Sequence, residues 1–378
     1  MSPSRRARDG EPSPPADDLP RLHPRTIASI RRRLLDHYRS HRRDLPWRRE
    51  RDPYRIWISE VMLQQTRVET AVPYYQRFLR EFPDVRALAS AGTERVLRAW
   101  AGLGYYGRAR RLHAAAREVT ERYGGTFPST QEDIRSLPGI GEYTAAAVGS
   151  IAFGLPLASV DGNAVRVLSR LFLLEGSPAA LRRRAAAAAR DLLPPEEAGD
   201  FNQALMELGA TICRPRNPEC GRCPVRRSCR ARRRGLTDRY PPRRAGTPLS
   251  DESHVAALLG RPGGILLVRR PDASLLGGFW ELPTLVLSGP PGRPETLRRR
   301  LGEHLRSAYG LRVRLGAPLA GVRHGILNRR IHGVAVPGRL AGDAGGPLRR
   351  FGIGRLDPLP LTTLSRKLLR ASGILPGD

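Results

Sequence analysis

The chain has 378 residues, enough for two domains or one large one. Its formal charge of +29 and pI near 11.4 come almost wholly from arginine, since Lys367 is the single lysine. Such an excess calls for a polyanionic partner, nucleic acid or acidic lipid; no stretch has the apolar length of a membrane span, so nucleic acid is favoured. A genome bias toward arginine explains the Arg/Lys ratio but not the net charge. Residues 1–24, rich in Pro, Arg, Ser and Asp without apolar periodicity, read as a disordered tail. Met1-Ser-Pro-Ser-Arg-Arg opens no secretory h-region, and a reducing cytosol is expected.

From about residue 25 to 230 the apolar spacing is helical almost throughout. Thr26-Ile-Ala-Ser-Ile, Ile56-Trp-Ile-Ser-Glu-Val-Met-Leu, Glu94-Arg-Val-Leu-Arg-Ala-Trp and Ala145-Ala-Ala-Val-Gly-Ser-Ile-Ala carry it, separated by Pro and Gly breaks. Ala185–Ala189, flanked by arginines, reads as an exposed low-complexity helix. An Arg- and Pro-rich connector over 236–250 follows. Beyond it His254-Val-Ala-Ala-Leu-Leu, Gly264-Ile-Leu-Leu-Val and Gly333-Val-Ala-Val predict short strands, and Glu295–Arg306 a helix, giving an α+β second domain over 251–378.

Several constellations bear chemistry. Glu60 sits among apolar neighbours, where desolvation raises a carboxyl pKa toward that of a general acid, although a lone helical Glu is usually solvated. Leu137-Pro-Gly-Ile-Gly leads into a helix; Gly139 and Gly141 permit close backbone approach, and the N–H groups opening that helix suit a phosphate. Asp161, before Gly162 and Asn163, reads locally as an N-cap but could also oppose a developing positive charge. Trp100-Ala-Gly-Leu-Gly-Tyr-Tyr-Gly-Arg offers rings beside arginines, suited to opening a base stack. All four cysteines, Cys213, Cys220, Cys223 and Cys229, follow a C-x6-C-x2-C-x5-C pattern. In a reducing compartment they read as ligands of one zinc or one [4Fe–4S] cluster rather than disulfides; thiolate chemistry alone does not choose.

Together Leu45-Pro-Trp-Arg, Trp57-Ile-Ser-Glu-Val-Met-Leu-Gln-Gln-Thr, Trp100-Ala-Gly-Leu-Gly-Tyr-Tyr, Leu137-Pro-Gly-Ile-Gly, Val160-Asp-Gly-Asn and the cysteine run resemble the MutY-type adenine DNA glycosylases of the endonuclease III superfamily. The resemblance implies an all-α helix–hairpin–helix glycosylase domain over 25–235 with one [4Fe–4S] cluster in the loop 213–229, followed by a Nudix-like α+β domain. It implies Glu60 as the acid that protonates adenine, Asp161 as the carboxylate facing an oxocarbenium-like sugar, and Tyr143 where bifunctional relatives carry a Schiff-base lysine. The glycosylase region has no lysine, so a monofunctional enzyme is expected.

By the same resemblance Trp47, Arg48 and Gln203 line the base pocket, Asn163 belongs to the site, and Gln65, Thr66, Leu103, Gly104 and Tyr105 touch the partner base or the distorted strand. Arg222, Arg226 and Arg227 would face phosphate. Leu276-Gly-Gly-Phe-Trp-Glu-Leu-Pro matches the Nudix-like domain, whose helix lacks the Glu-rich metal box. Val322-Arg-His-Gly-Ile-Leu-Asn lacks the expected serine, leaving Asn328, His324 or backbone groups to read the lesion. The implied substrate is double-stranded DNA with adenine opposite 8-oxoguanine or guanine, bound by a cytoplasmic, nucleoid-associated monomer. A glycosylase for thymine opposite guanine is the rival enzyme, and a non-catalytic cluster-bearing DNA-binding protein the rival of another class.

Overall fold

The computed structural model describes residues 23–242, 248–261, 264–271, 276–319, 321–342, 347–357 and 359–376. The predicted tail therefore lies outside the described residues up to residue 22, and its last residue, Pro24, opens the first helix. Residues 243–247 of the predicted connector also lie outside them. The chain packs into two compact units. One takes the chain through Ala89 together with Ala114–Arg244; the other takes Ser90–His113 together with Ala245–Asp378.

In the first unit the described residues form helices and turns without strands. The helices begin where the sequence supplies caps: Asp52 accepts the Arg55 N–H at 2.9 Å before Pro53–Leu63, and Asp161 accepts the Ala164 N–H at 2.7 Å before Gly162–Phe172. Gly139 turns the chain at φ +77°, a conformation open to glycine, just before the helix Glu142–Phe153. The apolar faces of Pro24–His41, Gly162–Phe172, Pro178–Leu192 and Ala198–Thr211 meet in one core that includes Leu34, Leu168, Ala185, Ala189 and Phe201. The alanine run is thus not an exposed helix. Ala185, Ala188 and Ala189 are buried because small side chains let that helix approach its neighbours, and the flanking arginines stay outside.

The helix Ala198–Thr211 sits unusually close to two others. A Cβ at Gly199 would lie 2.6 Å from the Ser150 carbonyl oxygen, and one at Gly209 would lie 2.6 Å from the Cβ of Asn163. Gly209 therefore lets this helix rest directly on the residue two places after Asp161.

Among the described residues of the second unit eight strands form one mixed sheet: β1 (Ser250–Arg261), β2 (Gly264–Arg269), β3 (Trp280–Glu281), β4 (Thr284–Ser288), β5 (Val313–Leu315), β6 (Val322–Ile326), β7 (Arg329–Leu340) and β8 (Leu348–Phe351). The order β3-β2-β1-β7-β5 forms the main path, with β4 on β1, β6 on β7 and β8 on β2. β1 and β7 run parallel, pairing Val255 with Val334; the other pairs are antiparallel. Alternation along β1 sends Val255, Ala257 and Leu259 to one face, against Leu297, Leu301 and Leu305 of the helix Pro294–Tyr309. Ala256 and Leu258 face the other way, toward Leu368 and Leu369 of Thr363–Ala371. The strands predicted at His254, Gly264 and Gly333 and the helix predicted at Glu295 all lie inside these elements. The fold is a helical unit and an α+β unit. None of the helices searched is long and apolar enough to cross a membrane.

Gly209→Ala should destabilise the chain by about 1–3 kcal/mol, because the added methyl would meet the Asn163 Cβ at 2.6 Å and its backbone at 3.1 Å. A urea melt reads this as a lower midpoint; an unchanged midpoint would contradict the close approach.

Candidate active site

Within the first unit a cavity of about 590 Å³ opens between the turn at Leu45–Arg48, the helices Pro53–Leu63, Glu142–Phe153 and Ala198–Thr211, and the start of Gly162–Phe172. That volume suits a small-molecule or single-base ligand. Its lining includes Trp47, Arg48, Glu60, Gln65, Thr66, Gly141, Tyr143, Asp161, Asn163 and Gln203, residues drawn from across the unit.

Glu60 is 7 % exposed, and Tyr143 donates its hydroxyl to Glu60 Oε2 at 2.7 Å. Burial pushes the Glu60 carboxyl up to about 7; the charge of Asp161 adds to this, while the Tyr143 hydrogen bond and the Arg48 guanidinium oppose it. Burial likewise carries the Tyr143 phenol well above its ordinary range, helped by the carboxyls of Glu60 and Asp161. Tyr143 therefore stays a neutral donor, with Met206 Sδ 3.2 Å from its oxygen. Glu60 exchanges its proton near neutrality.

Asp161 is an N-cap whose side chain also faces the cavity. Its Oδ1 caps the helix and its Oδ2 accepts Asn163 Nδ2 at 2.8 Å, while the residue lines the cavity. Burial raises its pKa, and the two N–H partners pull the other way. Asn163 is held in turn: Arg166 Nη2 donates to Asn163 Oδ1 at 2.7 Å and to the Gly209 carbonyl at 2.9 Å, and Arg166 Nε donates to the Cys213 carbonyl at 2.8 Å. A single guanidinium thus ties the start of the cysteine run to the amide that orients Asp161.

A second buried carboxylate behaves oppositely. Burial pushes Glu207 up, but hydrogen bonds from Arg43 and Arg48 win and hold it at about 2. Arg43 binds it with Nε and Nη2, both at 2.8 Å, and Arg48 Nη2 lies 2.9 Å away. Arg48 also donates to the Arg43 carbonyl and lies over the Tyr38 ring. Trp47 packs edge-on against Tyr75. One side of the cavity is thus a fixed ionic wall.

The sequence reading did not single out Arg43, Met206, Glu207 or Arg166. Helical spacing was the available signal: Glu207 follows Gln203 by four residues and Arg166 follows Asn163 by three, so each pair shares a helix face. Gln65 stands exposed at φ +58° at the end of its helix. Gly139 shapes its turn without lining the cavity. Leu103, Gly104 and Tyr105 belong to the second unit, where Tyr105 is exposed at φ +49°. Leu327 tips the β6–β7 hairpin at φ +54°, with Asn328 half-buried beside it and His324 half-buried on β6.

The four cysteines are free and half-buried. Burial pushes Cys223 up to about 12, and the other three thiols each add to the rise. Burial and neighbouring thiols raise Cys220 and Cys229 too. Arg170 ties down the start of the loop, donating to the carbonyls of Arg214 at 2.7 Å and Pro215 at 3.2 Å and lying 3.3 Å from Cys213 Sγ. Four soft thiol donors on one constrained loop fit the chemistry of an iron–sulfur cluster. Among the described residues no three His, Cys, Asp or Glu side chains are already gathered as a metal-binding group. Arg222 pairs with Glu219 and Arg226 donates to the Gly221 carbonyl, so both are engaged within the loop.

Residues 58–194 match the family described as HhH-GPD superfamily base excision DNA repair protein. The chain is 39 % identical over 316 residues to the adenine DNA glycosylase of Homo sapiens, covering 69 % of this chain and 58 % of that protein. It is 32 % identical over 321 residues to the adenine DNA glycosylase of Schizosaccharomyces pombe, covering 68 % of this chain and 70 % of that one. The mammalian relatives from human, rat and mouse are thus spanned over 58 %, 62 % and 61 % of their length. A solved thermostable thymine-DNA glycosylase aligns with 56 % of this chain and 98 % of its own, at 31 % identity and a TM-score of 0.50. A trapped endonuclease III–DNA covalent intermediate aligns over 57 % and 100 %, at 22 % identity and a TM-score of 0.50, a likeness of fold.

Glu60→Gln should raise the melting temperature at pH 8–9 and leave it nearly unchanged at pH 5. With the folded pKa raised from 4.5 to about 7, the carboxyl stays protonated at pH 5, whereas above 7 the folded state must hold a buried charge. The penalty removed is of the order of 3 kcal/mol at most. Equal melting shifts at both pH values would contradict a buried, proton-holding Glu60.

Proposed function

We propose, since the chain belongs to the adenine DNA glycosylase family, that it excises adenine mispaired with 8-oxoguanine or guanine by hydrolysing the N-glycosidic bond. The observation that carries this reading is the pairing, in one base-sized cavity, of a Glu60 carboxyl whose pKa is near 7 with the helix-capping Asp161. Adenine leaves poorly as an anion. Protonation of its N7 by Glu60 makes it a neutral leaving group, and the electron pair of the C1′–N9 bond departs with the base. The sugar is left with oxocarbenium character, which Asp161 opposes at short range. Glu60, now a carboxylate held by Tyr143, accepts a proton from the water that adds to C1′. Net, water is consumed, and free adenine and an abasic site are formed.

The remaining side chains hold the base. Trp47 offers an apolar face, Arg48 and Gln203 offer donors, and the Arg43–Glu207–Arg48 wall keeps that edge rigid. Arginines elsewhere on this +29 chain would grip phosphate, with Gln65, Thr66 and Tyr105 entering the opened stack. With Tyr143 at the position of the Schiff-base lysine, and Lys367 the single lysine of the chain, the enzyme is read as monofunctional. The second domain, by its sequence resemblance, reads the oxidised partner base. Cys213, Cys220, Cys223 and Cys229 would hold a [4Fe–4S] cluster, which when bound crosslinks the loop through four thiolate–iron bonds. The working unit is read as a monomer on nucleoid DNA in the cytoplasm.

Single-turnover assays on duplexes with adenine opposite 8-oxoguanine, adenine opposite guanine and thymine opposite guanine test this reading. The expected result is excision of adenine alone, with Asp161→Asn slower by about 10³-fold or more yet still bound to the mispair, and no adduct trapped by borohydride. Thymine excision would favour the rival enzyme. Near-wild-type turnover by Asp161→Asn would overturn the mechanism.

A further inference from the structure

The turn that bears Tyr105 belongs, by its packing, to the second unit, although it lies between helices of the glycosylase sequence. Its two tyrosines part company. Tyr105, at φ +49°, is 45 % exposed, whereas Tyr106 is 7 % exposed and its ring lies against Phe279, with centroids 4.0 Å apart and planes inclined by 47°. Consecutive residues of a tight turn cannot move independently. Fixing the Tyr106 ring fixes the direction in which Tyr105 projects.

Phe279 is a rigid seat for this ring. It is fully buried, and both of its backbone groups are committed: its N–H donates to the Leu276 carbonyl at 3.2 Å and its carbonyl accepts the Arg270 N–H at 2.9 Å. The next residue, Trp280, is buried in β3 and packs against Phe351, so the seat continues into the sheet.

On the other side the turn is clamped by its own residues. Gly102 and Gly104 take positive φ, and the Gly102 N–H donates to the Tyr106 hydroxyl at 3.2 Å. Arg108, 5 % exposed, reaches back to the Leu103 and Gly104 carbonyls at 3.3 and 3.2 Å, with its guanidinium over the rings of Trp100 and Tyr105. An arginine buried between two rings and two carbonyls is a poor phosphate ligand but a good brace. Internal hydrogen bonds therefore set the shape of the turn. The Phe279 contact sets where it points.

We infer that Phe279 is a positioning residue for adenine excision: through Tyr106 it holds Tyr105 in the attitude needed to enter a base stack. The inference rests on the proposed role of Tyr105 as the residue that opens the duplex. It gives the sheet-bearing domain a second task besides contact with the partner base, since one of its core aromatics presents a tool contributed by the glycosylase sequence. The dependence should appear only where a base pair must be opened. An adenine with no pairing partner needs no wedge.

The test compares full-length wild type with Phe279→Leu, Phe279→Tyr, Tyr106→Leu and Tyr105→Ala. Leucine keeps the site apolar and filled, and tyrosine keeps the ring. Two duplexes are cleaved under single-turnover conditions, one with adenine opposite 8-oxoguanine and one with adenine opposite an abasic site. Phe279→Leu and Tyr106→Leu should slow the paired duplex by about tenfold or more and change the unpaired one by less than about twofold, whereas Phe279→Tyr, which keeps the ring, should cleave both at close to wild-type rates. Tyr105→Ala should show the same selective loss.

If Tyr105→Ala shows that loss while Phe279→Leu and Tyr106→Leu cleave both duplexes at wild-type rates, the inference is overturned and the wedge stands. If Tyr105→Ala itself cleaves the paired duplex normally, the wedge reading fails and the inference falls with it. Equal slowing of both duplexes by Phe279→Leu, or slow cleavage by Phe279→Tyr, would reveal general disruption and overturn the positioning role.

Discussion

The 2.7 Å hydrogen bond from Tyr143 to a buried Glu60 is the constraint around which the helical unit is arranged. An unpaired carboxylate at that depth would be intolerable, and a carboxyl paired with arginine would never release a proton as an acid. A single neutral hydroxyl is the intermediate solution. It stabilises the charged form enough for the proton to leave, yet leaves desolvation dominant, so that the pKa settles near 7. A hydroxyl that itself stays protonated is required for this, and burial beside two carboxyls keeps Tyr143 in that state.

Glu207 shows how much the partner decides. Both glutamates lie on helices lining the same cavity, and they are about equally buried, at 7 % and 5 % exposure. Two guanidinium groups hold Glu207 near 2, while one hydroxyl leaves Glu60 near 7. Environments that push like groups apart in this way give them different protonation states near neutrality: one carboxyl can hold a proton, the other is an anion that fixes Arg43 and Arg48. Asp161, in its proposed role opposite the sugar cation, needs aim more than a tuned proton. The chain Cys213 carbonyl–Arg166–Asn163–Asp161, seated on Gly209, supplies that aim and makes the carboxylate's direction depend on how the cysteine loop is held.

What could be read from sequence follows from the range of the forces. Helix starts at Asp52 and Asp161 and the alternation along β1 are local patterns, visible within a few residues. The apolar flanks of Glu60 were local as well, so a raised pKa could be anticipated from Ile56, Trp57 and Met62. The Arg43–Glu207 pair spans 164 positions and the Arg166–Cys213 contact 47, and nothing in the local pattern of either arginine announces its partner. The alanine run misled because composition reports which residues are small, not which face is covered. The alliance of the Tyr105 turn with Phe279 was equally hidden, since it joins a glycine-rich loop to a strand-flanking turn far along the chain.

The central claim is that Glu60 holds an exchangeable proton near neutral pH. The most direct measurement is the side-chain carboxyl ¹³C chemical shift of Glu60, followed by NMR through a pH titration of the folded chain and assigned with Glu60→Gln. A midpoint near 7 is the predicted result. A midpoint at the ordinary glutamate value of about 4.5 would contradict the account, because the group would then be a carboxylate throughout the neutral range in which the proposed acid role needs it protonated.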